Sequence, residues 1–492
     1  MRFDHLSNPV CQTNCFQSFS GPFQNLNSSA PVNQSLTTGL HNAFPSVTSI
    51  VYEPKVGFAW SPFGAKNTVI RGGIGIFSDA IPTGAIDDIL TNAPNDPSFN
   101  IFNGALAPAA PGNLNSQAVA ANAGFRTNFA NGGAVAPFNF FNPGPVQIPR
   151  YDEWDLEVQH SLGWNTVISA KYVGNHGEHE ELTNPALNAF SPTAFGGLRT
   201  TVPNGEFGVV GQTQNVGNSN YNGVVISASH SMNGGFQFQA SYTYSHALDE
   251  ISNNSLNPFG QNTIANVDVV TPLNPFNIRS LNYGNADYDV RHSFVMNYVW
   301  SNSFRHLTSW GPDALMKGWT FSGTIFKHSG FPYSIFSSND TALLQQSLFG
   351  SGAAETATTV LANVTGNQNI NCGGSAAQPN SPCYSAANFA DPTNTFGNQR
   401  RNQFRGPGYF DTDFNVEKSF VVPRWEGANL TLGARFFNLF NHPNFAFPNT
   451  DINSSQFGLI TSTVSQPTTI YGSGLGADAS PRLIELQAKF VF

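Results

Sequence analysis

The chain has 492 residues, a formal net charge of −9, 13% aromatic residues with 43 Phe among them, and only 10% charged residues. A charged share this far below the usual figure of about 25%, joined to abundant aromatics, argues against intrinsic disorder, and the acidic balance gives no basis for nucleic acid as a partner. No stretch approaches the roughly 18 to 20 uninterrupted apolar residues of a spanning helix, so any membrane residence has to come from strands.

The N-terminus, Met1-Arg2-Phe3-Asp4-His5-Leu6, has neither the basic start nor the apolar segment of a secretory signal. Read literally, that points to the cytoplasm, with Arg2-Phe3-Asp4 looking like the tail of a strand. The cysteines point elsewhere. Cys11 lies close to Cys15 and Cys372 close to Cys383, each pair in a Gly/Asn/Ser/Pro-rich stretch, which predicts two local disulfides formed in an oxidising compartment. Neither pair has Cys-x-x-Cys spacing, so a four-thiolate metal site is not expected.

From Glu53 onward the chain reads as strands of about 9 to 12 residues with alternating faces, the period of transmembrane β-strands. Strands are predicted over 55–61 and 68–78; next Trp154, Leu156 and Val158 alternate with Glu153, Asp155, Glu157 and Gln159. Strands over 166–174 and 222–231 precede the clearest case, Phe236-Gln237-Phe238-Gln239-Ala240-Ser241-Tyr242-Thr243-Tyr244-Ser245, apolar at every even position. Phe294, Met296, Tyr298 and Trp300 continue the pattern, followed by 317–328, by Phe410, Phe414, Val416 and Phe420, and by Leu430, Leu432, Ala434 and Phe436. The last strand places Ile484, Leu486, Ala488, Phe490 and Phe492 on one face and Glu485, Gln487 and Lys489 on the other.

Connections alternate strictly between short and long. Short turns span 61–67, 162–165, 232–235, 302–316 and 421–427, and long connections span 79–150, 175–221, 246–289, 329–409 and 441–481. An outer-membrane barrel has short periplasmic turns and long extracellular loops, so the long connections, including the one with Cys372 and Cys383, are assigned to the outside. Trp154, Tyr172, Tyr242, Tyr244, Tyr298, Trp300 and Trp319 join the lipid-facing set as interface rings. A soluble β core would favour more aliphatics and shorter loops.

The opposite face offers Glu153, Asp155, Glu157, Lys171, Arg291, Glu417, Arg435, Glu485 and Lys489, which read as lumen lining because the same charges facing mid-bilayer lipid would cost roughly 2 to 4 kcal/mol for Lys or Arg. His176-Gly177-Glu178-His179-Glu180-Glu181 gathers potential metal ligands where a strand leaves the membrane, yet a solvated loop start accounts for it, and no metal site is assigned. Asp287, Asp289, Arg291 and His292 are expected to form ion pairs on the rim. Gly72-Gly73-Ile74-Gly75 lies inside a strand with no helix after it, so it is not a phosphate loop, and no Gly-x-Ser-x-Gly elbow occurs. No catalytic constellation and no cofactor site stands out, and the chain is not read as an enzyme.

Several phrases carry a family resemblance: Pro54-Lys55-Val56-Gly57-Phe58-Ala59-Trp60-Ser61-Pro62-Phe63-Gly64, Val69-Ile70-Arg71-Gly72-Gly73-Ile74-Gly75-Ile76-Phe77, and Tyr172-Val173-Gly174-Asn175-His176-Gly177. Ala240 to Asp249, Asp287-Tyr288-Asp289-Val290-Arg291-His292, Phe436-Phe437-Asn438-Leu439-Phe440-Asn441-His442-Pro443-Asn444-Phe445 and the terminal aromatic strand complete the set. Together they resemble the barrel domain of TonB-dependent outer-membrane transporters, of the Oar-like, acidobacterial type.

The resemblance implies an all-β fold, an antiparallel transmembrane β-barrel of which this chain holds about 12 strands out of about 22. It also implies a signal peptide, a carboxypeptidase-regulatory-like domain, a TonB-contacting segment and a plug, none of which is visible here. Residues 1–492 are therefore expected to be the C-terminal part of one receptor barrel in the cell outer membrane, reaching TonB only through parts missing from the chain. The implied partners are outer-membrane lipid, the barrel-assembly machinery reading the terminal strand of Ile484, Leu486, Ala488, Phe490 and Phe492, and a scarce ligand such as a saccharide, peptide or siderophore. The implied function is TonB-energised uptake, not achievable by this portion alone; the alternative is a self-contained barrel or a surface adhesion protein.

Overall fold

The computed structural model describes residues 7–47, 50–64, 67–80, 146–184, 186–208, 210–250, 277–302, 311–340, 360–367, 382–422, 427–464 and 482–492, with shorter pieces between them. Eleven strands form the wall: β1 (Lys55–Trp60), β2 (Thr68–Ser78), β3 (Arg150–Gly163), β4 (Thr166–Asn184), β5 (Val210–Asn233), β6 (Phe236–Asp249), β7 (His292–Asn302), β8 (Trp319–His328), β9 (Tyr409–Val421), β10 (Asn429–Phe437) and β11 (Leu483–Val491). Each is hydrogen-bonded antiparallel to the next in chain order, so the wall is one uninterrupted meander. Ile50–Glu53, which leads into β1 across Pro54, pairs antiparallel with Arg2–His5 in a separate two-stranded sheet. Among the described residues β11 pairs only with β10, and the sheet stays open between its two edges.

Register explains why the two faces separate. Leu156, Tyr172, Val224 and Tyr244 line up across β3 to β6, and Phe321, Val416, Ala434 and Leu486 across β8 to β11, giving transverse apolar rows. The other face carries polar rows such as Ser169, Ser227 and Ser241, in which the Ser169 and Ser227 hydroxyls are 2.7 Å apart. Aromatic rings bound the apolar band: Trp60, Phe236, Trp300, Trp319 and Trp425 at the short-turn end, Trp154, Tyr172, Tyr242 and Tyr244 toward the other. Phe236 and Tyr244 are eight residues apart on β6, and at about 3.3 Å per residue and a tilt near 40° they span about 20 Å, close to the apolar band of an outer-membrane barrel. Tyr298 lies mid-wall instead of at a boundary, its ring over Gly323 of the neighbouring strand.

Two strands outrun that band. β4 and β5 have 19 and 24 residues, and Glu181 to Asn184 still pair with Asn215 to Gln212. The expected long connection over 175–221 is thus shortened to 185–209, with a two-stranded extension standing above the wall. The segment 175–184 and its partner are mostly polar, with isolated apolar residues such as Leu182, Val210 and Val216, so no alternation gave sign of a strand there. The connection between β2 and β3 also contains a helix, α1 (Leu114–Ala130).

Buried apolar side chains collect at the long-connection end, because a single-layer wall facing lipid needs no protein core of its own. Phe19, Phe23, Val32 and Leu36 pack with Phe129 and Phe207, which joins the segment before β1 to the β2–β3 and β4–β5 connections. Phe195 and Leu198 of the β4–β5 connection meet Val360 and Phe396 of the β8–β9 connection, with the two Phe rings edge-on at 5.6 Å. Tyr333, Ile335, Tyr384, Phe389 and Phe404 then pack with Phe457 and Ile460 from the β10–β11 connection. A fully buried Phe is worth about 1.5 to 3 kcal/mol, so these interlocked clusters make the long connections a folded cap.

Candidate functional site

The concave polar face places Lys55, Gly75, Glu153, Asn175 and Tyr221 in one transverse row across β1 to β5. A second row sets Glu157 between Arg71 and Lys171. Lys171 lies 3.5 Å from Asp155, the Asn175 amide donates to Glu153 at 3.1 Å, and the Lys55 ammonium sits 3.9 Å from the Phe77 ring centre and 3.5 Å from Glu53. Lys55, Phe77, Glu153, Asp155, Lys171, Asn175 and Tyr221, together with Gly73 and Gly75, line a cleft of about 510 Å³. On the far side of the wall Arg435 stands between Asn415 and Glu485, Lys489 lies opposite Thr431, and Gln487 donates to Glu417 at 2.7 Å. Each charge here has polar neighbours or a partner in register, so the face suits water and hydrophilic solutes.

Arg291 is the exception among the residues assigned to the lumen wall. It stands one residue before β7, where its Nε lies 3.1 Å from the fully buried Asp289 carboxylate. The buried charge draws the guanidinium into the cap instead of the lumen.

That contact belongs to a network which sequence reading missed. Arg401, on the β8–β9 connection, donates to the main-chain oxygen of Asp249 at 2.8 Å, to the Asp249 carboxylate, and to Ser252, Asp287 and the Asn282 carbonyl. Arg405 pairs with Asp289, whose other oxygen accepts the Ala247 N–H at 2.7 Å. Asn402 and Asn285 exchange amide-to-carbonyl bonds at 2.8 and 2.7 Å, and Asn402 also donates to Asp287 at 2.6 Å. Burial pushes the Asp287 carboxyl up to about 6, opposed by the Asn402 amide, while burial pulls Arg401 down to about 9, still protonated at neutral pH. Burial lowers Arg405 as well, against the pull of Asp289. The expected ion pairing holds within the segment between Asp289 and Arg291, and both Asp287 and Asp289 also bridge to arginines of another connection. For the partner side, the sequence signal was the cluster Arg400, Arg401 and Arg405 in a chain poor in charge.

His176 Nδ1 shares a hydrogen bond with Asn220 at 2.9 Å and its Nε2 lies 3.3 Å from Glu178. His179 turns away at a bulge with φ 61°, and Glu180 accepts the Ser219 hydroxyl, its carboxyl pushed up by burial. Among the described residues no three His, Cys, Asp or Glu side chains are placed to hold a metal ion. Cys11 is disulfide-bonded to Cys15. Cys383 is also disulfide-bonded, and Cys372 lies outside the described residues. At the other end of the wall Trp425 of the β9–β10 turn packs on Phe490 and Phe492, with ring centres 5.4 and 5.9 Å away.

Residues 1–471 match the family described as outer membrane beta barrel domain. The chain belongs to that family. It is an outer-membrane β-barrel protein that crosses the membrane with strands; no described helix is long and apolar enough to do so. No curated protein sequence matches it. Solved structures similar to the chain include the outer-membrane transporter YddB of Escherichia coli, 11% identical with a TM-score of 0.42 over 89% of this chain and 40% of that one. A mutant of the ferric enterobactin receptor PfeA of Pseudomonas aeruginosa, in complex with enterobactin, is 10% identical with a TM-score of 0.41 over 90% and 41%. The ferric-catecholate import receptor Fiu of E. coli is 12% identical with a TM-score of 0.36 over 90% and 35%. At these scores the likeness carries no argument about ligand, and this family member spans about two fifths of the length of the first two.

Proposed function

We propose that the chain is the C-terminal part of a receptor and transporter barrel that takes up a scarce hydrophilic ligand with energy relayed by TonB. The observation that carries this reading is the pairing of a polar concave wall with a cap built from five long connections at one mouth. A cap of this kind presents a surface outside the cell, and a lumen lined by Lys55, Glu153, Asp155, Glu157, Lys171, Glu417, Arg435, Glu485 and Lys489 gives a ligand a hydrated route beneath it. The Oar-like phrases support the same reading. The ligand class stays open among saccharide, peptide and siderophore, since the polar face has amides, carboxylates, amines and rings for each. In this reading the terminal strand from Ile484 to Phe492 also serves as the assembly signal.

The test is uptake of labelled oligosaccharide, peptide and ferric siderophore by cells carrying the complete gene, its deletion, or an inactivated TonB system. Accumulation of one label that disappears in both mutants supports the proposal. Uptake that survives TonB loss, or no label changed by deletion, overturns it.

A further inference from the structure

The outward apolar face carries two lysines at opposite ends of the wall. Lys418 on β9, at the short-turn end, is buried; its ammonium donates to the carbonyls of Lys317 and Ser419 and lies 4.5 Å from the Phe420 ring centre. Lys327 on β8 is its opposite. It stands one residue before the strand's outer end, is exposed, and has no hydrogen bond or ion pair among the described residues.

Its neighbours are defined by register. Phe294 of β7 pairs with Lys327 on one side and Phe410 of β9 on the other, and Tyr242 pairs with Phe294, so one row reads Tyr242, Phe294, Lys327, Phe410. His292 lies two residues from Phe294, diagonal to Lys327 at about 7 Å. The His292 Nδ1 shares a 2.7 Å hydrogen bond with the Tyr242 hydroxyl, which leaves Nε2 for another partner.

An unpaired ammonium amid rings at the lipid boundary extends its aliphatic stem along them and holds its head at headgroup level. What meets it there is the polar end of a lipid. We propose that Lys327 and His292 together bind the phosphate of a lipid headgroup in the outer leaflet, with Phe294 and Phe410 against the first carbons of its acyl chains. The ammonium supplies a point charge and the imidazole a directed partner, which suits a compact tetrahedral anion better than a sugar hydroxyl. The rings on the same row tie the site to a lipid, since a free anion gains nothing from them.

The test is lipid retention by the intact protein in detergent micelles, measured by native mass spectrometry with dioleoyl phosphatidic acid and with a phosphate-free digalactosyl lipid of the same chains. Wild-type protein is expected to retain phosphatidic acid about tenfold better. Lys327→Gln and His292→Gln should each remove most of that preference and Lys327→Arg should keep it. Lys489→Gln makes the same charge change on the lumen face and should also keep it. Equal retention of the two lipids, or equal losses in Lys327→Gln and Lys489→Gln, would overturn the proposal. So would displacement of the lipid by millimolar inorganic phosphate, which would mark a site for soluble anions.

Discussion

Arg401 binds Asp249 from 152 residues away, through both the carboxylate and the main-chain oxygen, and so bolts the β8–β9 connection to the outer end of β6. The side chains are 10% and 3% exposed, which makes the pair a buried one. Replacing Arg401 by Met leaves the Asp249 and Asp287 carboxylates buried without their cation, at a cost of about 3 to 5 kcal/mol. The cap of Arg401→Met is expected to be cut by protease at the long connections while the wall resists. A digestion pattern unchanged from wild type would show that the bridge does not hold the cap.

The Asp287 carboxyl gives the cap a pH dependence. Its folded value of about 6 lies above the unfolded 3.8, so between those values the folded cap holds a proton the unfolded chain lacks. That contribution is fully present below about 3.8 and is lost as pH rises through 6. Hydrogen exchange of the Ala247, Ala286 and Asp289 amides, corrected for intrinsic rates, should slow as pH falls from 7 to 5, by about 1.3 kcal/mol in opening free energy. Asp287→Asn should flatten the dependence; an equal slope in that variant would assign it to another group.

Trp154 lies across Gly174 of the neighbouring strand, with indole atoms 2.3 Å from where a β-carbon would stand. Gly174→Ala must push the ring off the wall, an overpacking cost of about 1 to 3 kcal/mol. The folded band on unheated gels should disappear at a lower temperature than for wild type, and Trp154→Ala in the same chain should relieve part of the loss. Equal melting of Gly174→Ala and wild type would refute the contact.

Ile226 and Ser227 are adjacent on β5 and face opposite ways, Ile226 with Tyr242 and Ser227 with Ser241. Ile226→Lys puts an ammonium into the apolar band at about 2 to 4 kcal/mol, whereas Ser227→Lys leaves it in water. Membrane-inserted yield should fall for the first and hold for the second; the reverse ranking would invert the two faces.

The wall was legible because lipid on one side and water on the other impose alternation on every strand. The 68–78 strand is reproduced to the residue, and the 166–174 and 222–231 strands are found but extended. The extensions were hidden because residues 175–184 are polar or glycine at nine of ten positions, and the single buried apolar side chain there, Leu182, makes no alternating pattern. Arg401 was hidden because its partners are 114 to 152 residues away, and pattern reading sees only neighbours. Lys327 escaped because its position in the alternation is an apolar one, and a charge there reads as an interruption of the pattern instead of part of a site.

The meander has a kinetic corollary. Every pairing among the eleven wall strands joins neighbours in the chain, so hairpins can be added one at a time as the chain enters the membrane; the parallel pairing of Phe138–Phe141 with the outer end of β5 is a later addition. The cap closes by contacts of high sequence separation, Asp249 with Arg401 and Phe195 with Phe396, which require loop-closure entropy to be spent on elements already in place. The outer surface therefore matures last, after β9 has joined the wall, and an assembly arrested earlier exposes open loops to any protease outside the cell.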